Sequence, residues 1–190
     1  HELGALCAVC DVDVALATEF SAEYSVPSLE WMEIIEDSSI DAVAIATPAE
    51  VHSTQALQSL QAGKHVFVEK PLALHSYEAE EIIALANQGE RVLMVGHLLQ
   101  YHPAFLALRD LTEAGKLGRL QYIYSNRLNF GKVRREENVF WSFAPHDISM
   151  ILSLTGEMPN SISAKGASYL HKVIADVTNT YLTFPSGVNA

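Results

Sequence analysis

Basic residues are scarce in this sequence, where 12 Lys and Arg stand against 23 Asp and Glu for a formal net charge of −11. A nucleic-acid-binding protein needs a basic surface to neutralise phosphates, so we expect no nucleic-acid partner. The sequence also shows no signal peptide and no apolar run long enough to span a bilayer. We therefore expect a cytoplasmic protein that does not contact a membrane.

Cysteine is also rare, with Cys7 and Cys10 as the two examples, in the stretch LCAVCDVD. The C-x-x-C spacing occurs in redox and zinc sites. Here, however, it falls in an apolar run that predicts a strand, where residues three apart face opposite sides of the sheet. No second cysteine pair is present to complete a zinc site. We predict two buried cysteines and no metal.

The sequence contains no G-x-G-x-x-G loop, although it has ten glycines. That loop is the usual cradle for the pyrophosphate of a dinucleotide, so its absence weakens any cofactor prediction made from the residues alone. What the sequence does have is a composition of 49% hydrophobic and 18% charged residues. This is typical of a globular protein with a sizeable core.

The first 96 residues alternate between apolar strands and helices, a pattern typical of a parallel sheet covered on both faces. The predicted strands are Leu3–Cys10, Asp41–Ala46, Val66–Val68 and Val92–Val95. The predicted helices are Val14–Tyr24, Leu29–Glu36, Ala49–Gln61, which Gly63 ends, and Ser76–Asn87.

The pattern changes after Gly96 to helices followed by long, half-exposed strands, which favours an α+β domain with an open antiparallel sheet. The predicted elements are helices Tyr101–Ala114, with Pro103 in its first turn, and Pro145–Leu154, and strands Leu120–Phe130, Ile162–Tyr169 and Val177–Phe184. The final PSGVNA predicts a hairpin turn without a return strand. Because both ends leave an uncovered sheet edge, we expect a chain truncated at both ends.

Ligands bind at the carboxyl ends of the strands in open parallel sheets. The predicted strands deliver Asp11, Thr47–Glu50, Glu69–Pro71 and Gly96–His97 to that edge. Asp11 suits either a ribose-binding acid or a helix N-cap. Thr47–Glu50 predicts a capping box at a helix N-terminus, which would lie beside the site. His52 follows one turn later, where a surface histidine is the simpler interpretation.

Lys70 is the strongest functional candidate that the residues themselves provide. It follows a buried strand, between Glu69 and Pro71, in the stretch HVFVEKPLAL. A lysine held at the ligand end of a sheet would orient and polarise a bound oxygen. This position favours a functional role over that of a solvated charge.

Three stretches, IDAVAIATPAEVH, HVFVEKPLAL and GHLLQYHPAF, together resemble the Gfo/Idh/MocA family of NAD(P)-dependent sugar oxidoreductases, whose most specific mark is the EKP triplet. The resemblance covers essentially the whole chain. It implies a partial dinucleotide-binding domain over residues 1–96, a Rossmann-like parallel sheet lacking its first strand. It implies a partial α+β substrate and oligomerisation domain over residues 97–190, with an open, mainly antiparallel sheet. The implied cofactor is NAD or NADP, with NAD favoured, and the implied assembly is a homo-oligomer.

A longer stretch, RLNFGKVRREENVFWSFAPHDISMILSL, resembles one branch of this family. That branch oxidises C3 of UDP-N-acetylglucosaminuronic acid, or a close nucleotide-sugar relative, in surface-polysaccharide biosynthesis. The resemblance thus implies a small-molecule nucleotide-sugar or sugar substrate.

The resemblance assigns two catalytic residues, Lys70 and His146. Many family members carry an aspartate where this sequence has Ser142, so we expect His146 to act as the base without an aspartate relay. The Lys70–Pro71 peptide bond is often cis in the family.

The resemblance also implies binding residues. The cofactor-binding set is Asp11, Thr47, Pro48, His52, Glu69, Pro71 and His97. The substrate-binding set is Arg127, Asn129, Lys132 and Arg134. The charge of this second set suits a carboxylate or a diphosphate, and a solvated basic loop is the alternative interpretation.

Three alternative functions remain open. The first is a same-family enzyme acting on another sugar or an inositol. The second is a metal-dependent hydrolase or lyase built on His97, His102, His146 and Asp147, although their spacing matches no established ligand pattern. The third is a non-catalytic fragment that lacks the pyrophosphate cradle.

Overall fold

The computed structural model describes residues 4–128 and 138–190. The chain divides into two compact units, residues 1–96 and residues 97–190. Within the part of the chain that the structure describes, no helix is long and apolar enough to cross a bilayer.

The first unit is built on a three-stranded parallel sheet with strand order β1-β2-β3. Its elements in chain order are α1 (Val14–Tyr24), α2 (Trp31–Glu36), β1 (Ala42–Ile45), α3 (Ala49–Gln61), β2 (His65–Val68), α4 (Ser76–Gln88) and β3 (Leu93–Val95). The helices serve as the crossover connections that parallel neighbouring strands need. The predicted α/β class is confirmed for this unit.

The core of the first unit lies between the sheet and helices α3 and α4. Val66 and Val68 of the central strand are almost fully buried, as are Ala56 of α3 and Ile82 of α4. Burying each aliphatic side chain of this size contributes about 1.5–3 kcal/mol to folding. Gly63 has a φ of 75° just past the end of α3, so the predicted glycine stop is confirmed.

The predicted strand Leu3–Cys10 is wrong for the residues of it that are described. Val9 forms a single parallel bridge with Ser28, through hydrogen bonds to the backbones of Pro27 and Leu29. One bridge does not make a ladder, and the segment is mostly exposed. Cys7 and Cys10 are therefore exposed free thiols, which contradicts the prediction that they are buried.

The second unit combines helices with an antiparallel pair of strands, as the α+β prediction requires. Its elements are a 3₁₀ turn (Leu98–Tyr101), α5 (Pro103–Glu113), α6 (Val139–Thr155), β4 (Ser161–Ala167) and β5 (Val177–Thr183). The predicted helix from Tyr101 begins instead at Pro103, because the residues before the proline form the separate 3₁₀ turn. Pro103 lies in the first turn of α5, as predicted.

Two further predictions for this half are wrong. The described part of Leu120–Phe130 is not a strand, since Tyr122 forms one bridge, with Asn189. Helix α6 begins at Val139 rather than at Pro145, because the Asn138 side chain accepts a hydrogen bond from the Trp141 N–H and caps the helix. Pro145 is accommodated inside the helix.

The last residues form the predicted hairpin turn, and the chain after the turn folds back to form hydrogen bonds with the end of β5 and with Phe184. The Phe184 N–H donates to the Val188 carbonyl, and Leu182 and Ala190 exchange both backbone hydrogen bonds. Phe184 and Val188 are buried against Ile151 of α6, in a small core of the second unit. This pairing includes an isolated bridge between Thr183 and Asn189, and within residues 138–190 no strand follows β5, as the prediction of a turn without a return strand requires.

The connection from β4 to β5 is organised by one carboxylate. Asp176 accepts backbone hydrogen bonds from Tyr169, Leu170 and His171. The Tyr169 N–H is the largest cause that holds the pKa of Asp176 below its usual value. A lowered pKa means that this carboxylate stabilises the loop above its ordinary titration range, and that the contribution is lost as the pH falls through the lowered pKa.

Lys64 is an unusual core residue of the first unit, with only 3% of its surface exposed. Its Nζ donates to the backbone carbonyls of Asp37, at 2.6 Å, and Ile40, at 2.8 Å. The ammonium thereby ties the residues that enter β1 to the residue that precedes β2. Buried cations are rarely tolerated without such partners.

Replacing Lys64→Met should lower the free energy of unfolding by about 1–3 kcal/mol, because two buried carbonyls lose their donor. Arg91→Met, which removes an exposed cation from the same unit, is the control and should change stability by less than about 0.5 kcal/mol. Equilibrium urea unfolding measures both. Equal stability of the two variants would show that the Lys64 ammonium does not hold these carbonyls.

Candidate active site

The carboxyl edge of the parallel sheet gathers the residues that follow its strands. The Glu69 N–H donates to the Ile45 carbonyl at 2.9 Å, and the Gly96 N–H donates to the Val68 carbonyl at 2.8 Å. These hydrogen bonds continue the ladder one residue beyond each strand. The residues after β1, β2 and β3 therefore share one edge, which is where open parallel sheets bind ligands.

The Glu69-Lys70-Pro71 triplet begins directly after β2 at this edge. The Lys70–Pro71 peptide bond is cis, as the resemblance implies. The Lys70 N–H donates to the Glu69 carboxylate at 3.3 Å. Pro71 is buried, whereas the Glu69 and Lys70 side chains are half-buried. Lys70 is thus accessible at the edge while its neighbour Pro71 is fixed in the interior.

Gly96 is packed closely against Glu69. A Cβ atom at position 96 would lie 3.0–3.1 Å from the carboxylate atoms of Glu69, which is tighter than ordinary contact. The missing side chain therefore leaves room for that carboxylate beside β3. The sequence signal for this contact is only a glycine directly after a strand, which is compatible with many other roles.

Two roles were considered for Asp11, a helix N-cap and a ribose-binding acid, and the structure gives the N-cap role to Asp13. Asp13 is the N-cap of α1, and its carboxylate accepts hydrogen bonds from Ala15 and Leu16. Asp11 accepts only a local hydrogen bond from the Asp13 N–H, at 2.8 Å, among those the structure describes for its side chain. The N-cap interpretation of Asp11 is therefore wrong. Its exposed carboxylate remains a candidate for binding ribose hydroxyls, which is still a prediction.

Thr47 and Pro48 connect β1 to α3, and the predicted capping box does not form. Pro48 is the N-cap and provides no side-chain acceptor, so α3 begins at Ala49. The Thr47 hydroxyl instead donates to the Gln55 side chain at 2.6 Å. Thr47 and Pro48 are exposed at the amino end of α3, where the helix dipole favours an anion.

His52 is not a surface residue, because only 1% of its area is exposed. Its Nδ1 lies 2.7 Å from the Pro71 carbonyl and its Nε2 lies 2.7 Å from the Thr47 carbonyl. The simpler interpretation of a surface histidine is wrong. The ring lies between the loop after β1 and the loop after β2.

In the second unit, the rings of His97 and His146 contact each other. Their centroids lie 6.2 Å apart with the ring planes at 88°, an edge-to-face arrangement. His97 is the N-cap of the 3₁₀ turn and His146 lies on α6, so the contact joins these two elements. No sequence signal predicts this pairing, because 49 positions separate the two residues and no spacing rule covers that distance.

Arg127 is paired with Asp147, with 2.5 Å between Nε and Oδ2, and Ser125 donates to the other carboxylate oxygen at 2.8 Å. Arg127 and Asp147 line a cavity of about 1030 Å³ in the second unit. His146, the neighbour of Asp147, does not line it, because consecutive residues of a helix face different directions. The candidate base His146 and the aspartate that pairs with Arg127 therefore lie on different faces of α6.

The remaining predicted substrate residues, Asn129, Lys132 and Arg134, lie outside the described residues. In residues 4–128 and 138–190, no three or more His, Cys, Asp or Glu side chains cluster as metal ligands would. Asp147, one of the residues considered for a metal, is engaged by Arg127 and Ser125.

Two family models match the chain. One, described as the Gfo/Idh/MocA oxidoreductase family with an NAD-binding Rossmann fold, matches residues 1–97, and the Gfo/Idh/MocA C-terminal domain matches residues 105–190. These matches agree with the parallel sheet and with the EKP triplet at its carboxyl edge, which the sequence resemblance also relates to this family. The chain belongs to the Gfo/Idh/MocA oxidoreductase family.

Relatives with different substrates match the chain. The UDP-N-acetylglucosamine 3-dehydrogenase of Acidithiobacillus ferrooxidans is 32% identical over 97% of this chain and 58% of its own length. The inositol 2-dehydrogenase of Rhizobium meliloti is 29% identical over 90% of this chain and 53% of its own length. The chain thus spans a little over half the length of these relatives.

Solved structures agree on the fold. A crystal form of the A. ferrooxidans UDP-N-acetylglucosamine 3-dehydrogenase superposes with a TM-score of 0.86 at 32% identity, covering 97% of this chain and 57% of that one. Myo-inositol 2-dehydrogenase from Lactobacillus plantarum superposes with a TM-score of 0.83 at 20% identity, covering 97% and 60%. The second likeness concerns the fold alone.

Replacing Gly96→Ala should displace the Glu69 carboxylate, because the new Cβ would occupy its space. The free energy of unfolding should fall by less than about 1 kcal/mol, since the far end of Glu69 can rotate away. We expect the amide NMR signals of Glu69 and Lys70 to shift. Gly89→Ala is the matched control, because its Cβ would meet its nearest neighbour at an ordinary 3.4 Å. Unchanged signals in Gly96→Ala would contradict the close contact.

Proposed function

We propose that this chain belongs to an NAD-dependent sugar oxidoreductase that oxidises the C3 hydroxyl of a UDP-N-acetyl-hexuronate or a related nucleotide sugar. The observation that carries the proposal is Lys70, half-buried after β2 at the ligand-binding edge and fixed between Glu69 and the buried Pro71. The relative named UDP-N-acetylglucosamine 3-dehydrogenase supports the nucleotide-sugar class. A cytoplasmic homo-oligomer is part of the same proposal.

The residues at the sheet edge fit a dinucleotide in part. Asp11 offers an exposed carboxylate to ribose hydroxyls, and Thr47 and Pro48 lie at the amino end of α3, where no side chain caps the helix. Glu69, Pro71 and His97 also belong to the proposed set, as does His52, which is buried. The sequence holds no glycine-rich loop for the pyrophosphate. When bound, NAD would supply the hydride acceptor.

Lys70 is proposed to hold the reacting oxygen. Its ammonium donates a hydrogen bond to the substrate hydroxyl and stabilises the negative charge that develops there as the proton leaves. A half-buried position strengthens such an interaction, because there is less water to screen the charge.

His146 is proposed to take the hydroxyl proton on a ring nitrogen. Ser142, buried one turn earlier on α6, is not a carboxylate, so the proton stays on the imidazole rather than passing to an acid at that position. The His97 ring packs against the His146 ring in an edge-to-face arrangement. These two residues are the part of the proposed chemistry contributed by the second unit.

The proposed substrate anion site is Arg127, Asn129, Lys132 and Arg134. The charge of Arg127 is already compensated by Asp147, so an incoming diphosphate or carboxylate would have to share this arginine. This pairing favours the alternative of a neutral sugar or inositol substrate, to which the inositol 2-dehydrogenase relative also points. Steady-state assays with UDP-sugars, the free sugars and myo-inositol distinguish the two classes.

The third candidate, a chain without catalytic activity, follows from the missing glycine loop. An NADH fluorescence titration of this 190-residue chain tests it directly. Saturable binding supports the oxidoreductase proposal for the chain itself. If NADH does not bind, the chain by itself does not carry the oxidoreductase activity.

Replacing Lys70→Met in the protein that contains this chain should lower kcat by roughly 10²-fold or more, because the developing oxyanion loses its donor. The Kd for NADH should stay within about twofold, since the methionine keeps the length of the side chain. Lys116→Met, at an exposed loop position, is the control and should retain full activity. A near-normal kcat in Lys70→Met would exclude the proposed role.

A further inference from the structure

His52 is buried in the first unit, yet it does more than fill the core. Its ring lies between two backbone carbonyls, with 2.7 Å from Nδ1 to the Pro71 oxygen and 2.7 Å from Nε2 to the Thr47 oxygen. These carbonyls belong to two different loops, one after β1 and one after β2. A single rigid ring therefore spans both loops at the carboxyl edge of the sheet.

Direct contact between His52 and a ligand is unfavourable on this geometry. With 1% of its surface exposed, the ring offers almost no area to a cofactor or substrate. Carbonyl oxygens also occupy the positions opposite both ring nitrogens. Since carbonyls only accept hydrogen bonds, each ring nitrogen that carries a hydrogen donates it to the protein.

We infer that His52 is a positioning residue that holds the Lys70-bearing loop in register with the loop after β1, through its contacts with the Pro71 and Thr47 carbonyls. This inference rests on the proposed function of Lys70. Pro71 is the next residue along the chain from Lys70, so movement of its carbonyl is transmitted directly to the Lys70 backbone. Displacing a catalytic group by about 1 Å is enough to lower a rate by roughly 10²-fold.

The other anchors of this loop do not replace His52. The Glu69 N–H is held by Ile45, which fixes the chain before Lys70. The carbonyl of Pro71 lies on the far side of Lys70, and among the described hydrogen bonds its partner is His52. The backbone is thus held on both sides of Lys70, by the sheet at Glu69 and by the His52 ring at Pro71.

The test compares four variants of the protein that contains this chain. His52→Leu removes both ring nitrogens, His52→Gln keeps an N–H donor, and Lys70→Met removes the amine. Trp31→Phe is the matched control, because it removes a different hydrogen bond to α3, from Trp31 Nε1 to Gln58 at 2.6 Å, without touching either loop. Each variant is measured for kcat, for the Kd of NADH and for the free energy of unfolding.

We expect His52→Leu to lower kcat by roughly ten- to a hundredfold with the Kd for NADH within about twofold. His52→Gln should recover part of kcat, and Trp31→Phe should keep kcat whatever stability it loses. If His52 acts through Lys70, adding His52→Leu to Lys70→Met should lower kcat no further. The amide signals of Lys70 and Leu72 should shift in His52→Leu.

Other outcomes overturn the inference. A full kcat in folded His52→Leu removes the positioning role, and a loss confined to the Kd for NADH means direct cofactor contact instead. An equal loss of kcat in Trp31→Phe would mean that His52 affects kcat only by stabilising the fold. If Lys70→Met keeps kcat, the proposed role of Lys70 is wrong. The inference about His52 is then judged by NMR alone, and it fails if the amide signals of Lys70 and Leu72 do not shift in His52→Leu. Should His52→Leu not fold, His52→Gln is judged by the same criteria.

Discussion

The position of β2 between β1 and β3 is the constraint on which the candidate site depends. Parallel pairing on both sides aligns Val66 with Val43 and with Leu93, so all three strands end together. The hydrogen bonds of Glu69 and Gly96 extend this alignment past the strands. A shift of β2 by one residue would exchange its buried and exposed faces and move Lys70 away from the edge.

A second level of control comes from polar groups buried beside the sheet. Lys64 holds the residues before β1, and His52 joins the loops that follow β1 and β2. Both side chains donate to backbone carbonyls rather than to side chains. Buried backbone carbonyls need such donors, and a histidine or lysine that supplies them gives an irregular loop a definite shape.

The second unit contributes chemistry of a different kind, on the two faces of α6. One face carries His146 against the His97 ring, and the other carries Asp147 against Arg127 at the wall of a cavity. The ion pair compensates the positive charge of Arg127. In the proposed function, an anionic substrate would have to share Arg127 with Asp147.

The sequence by itself determined the alternation of strands and helices, because apolar periodicity and glycine stops are local signals. Helices α1 and α3, for example, begin and end at the residues that the pattern predicts. It also determined the family and the EKP triplet. Only the tertiary structure decided which residues are buried around them. The exposure of Cys7 and Cys10, the burial of His52 and the pairing of Arg127 with Asp147 depend on contacts between segments far apart in the chain. Local propensity carries no information about such contacts, since they are set by how the elements pack.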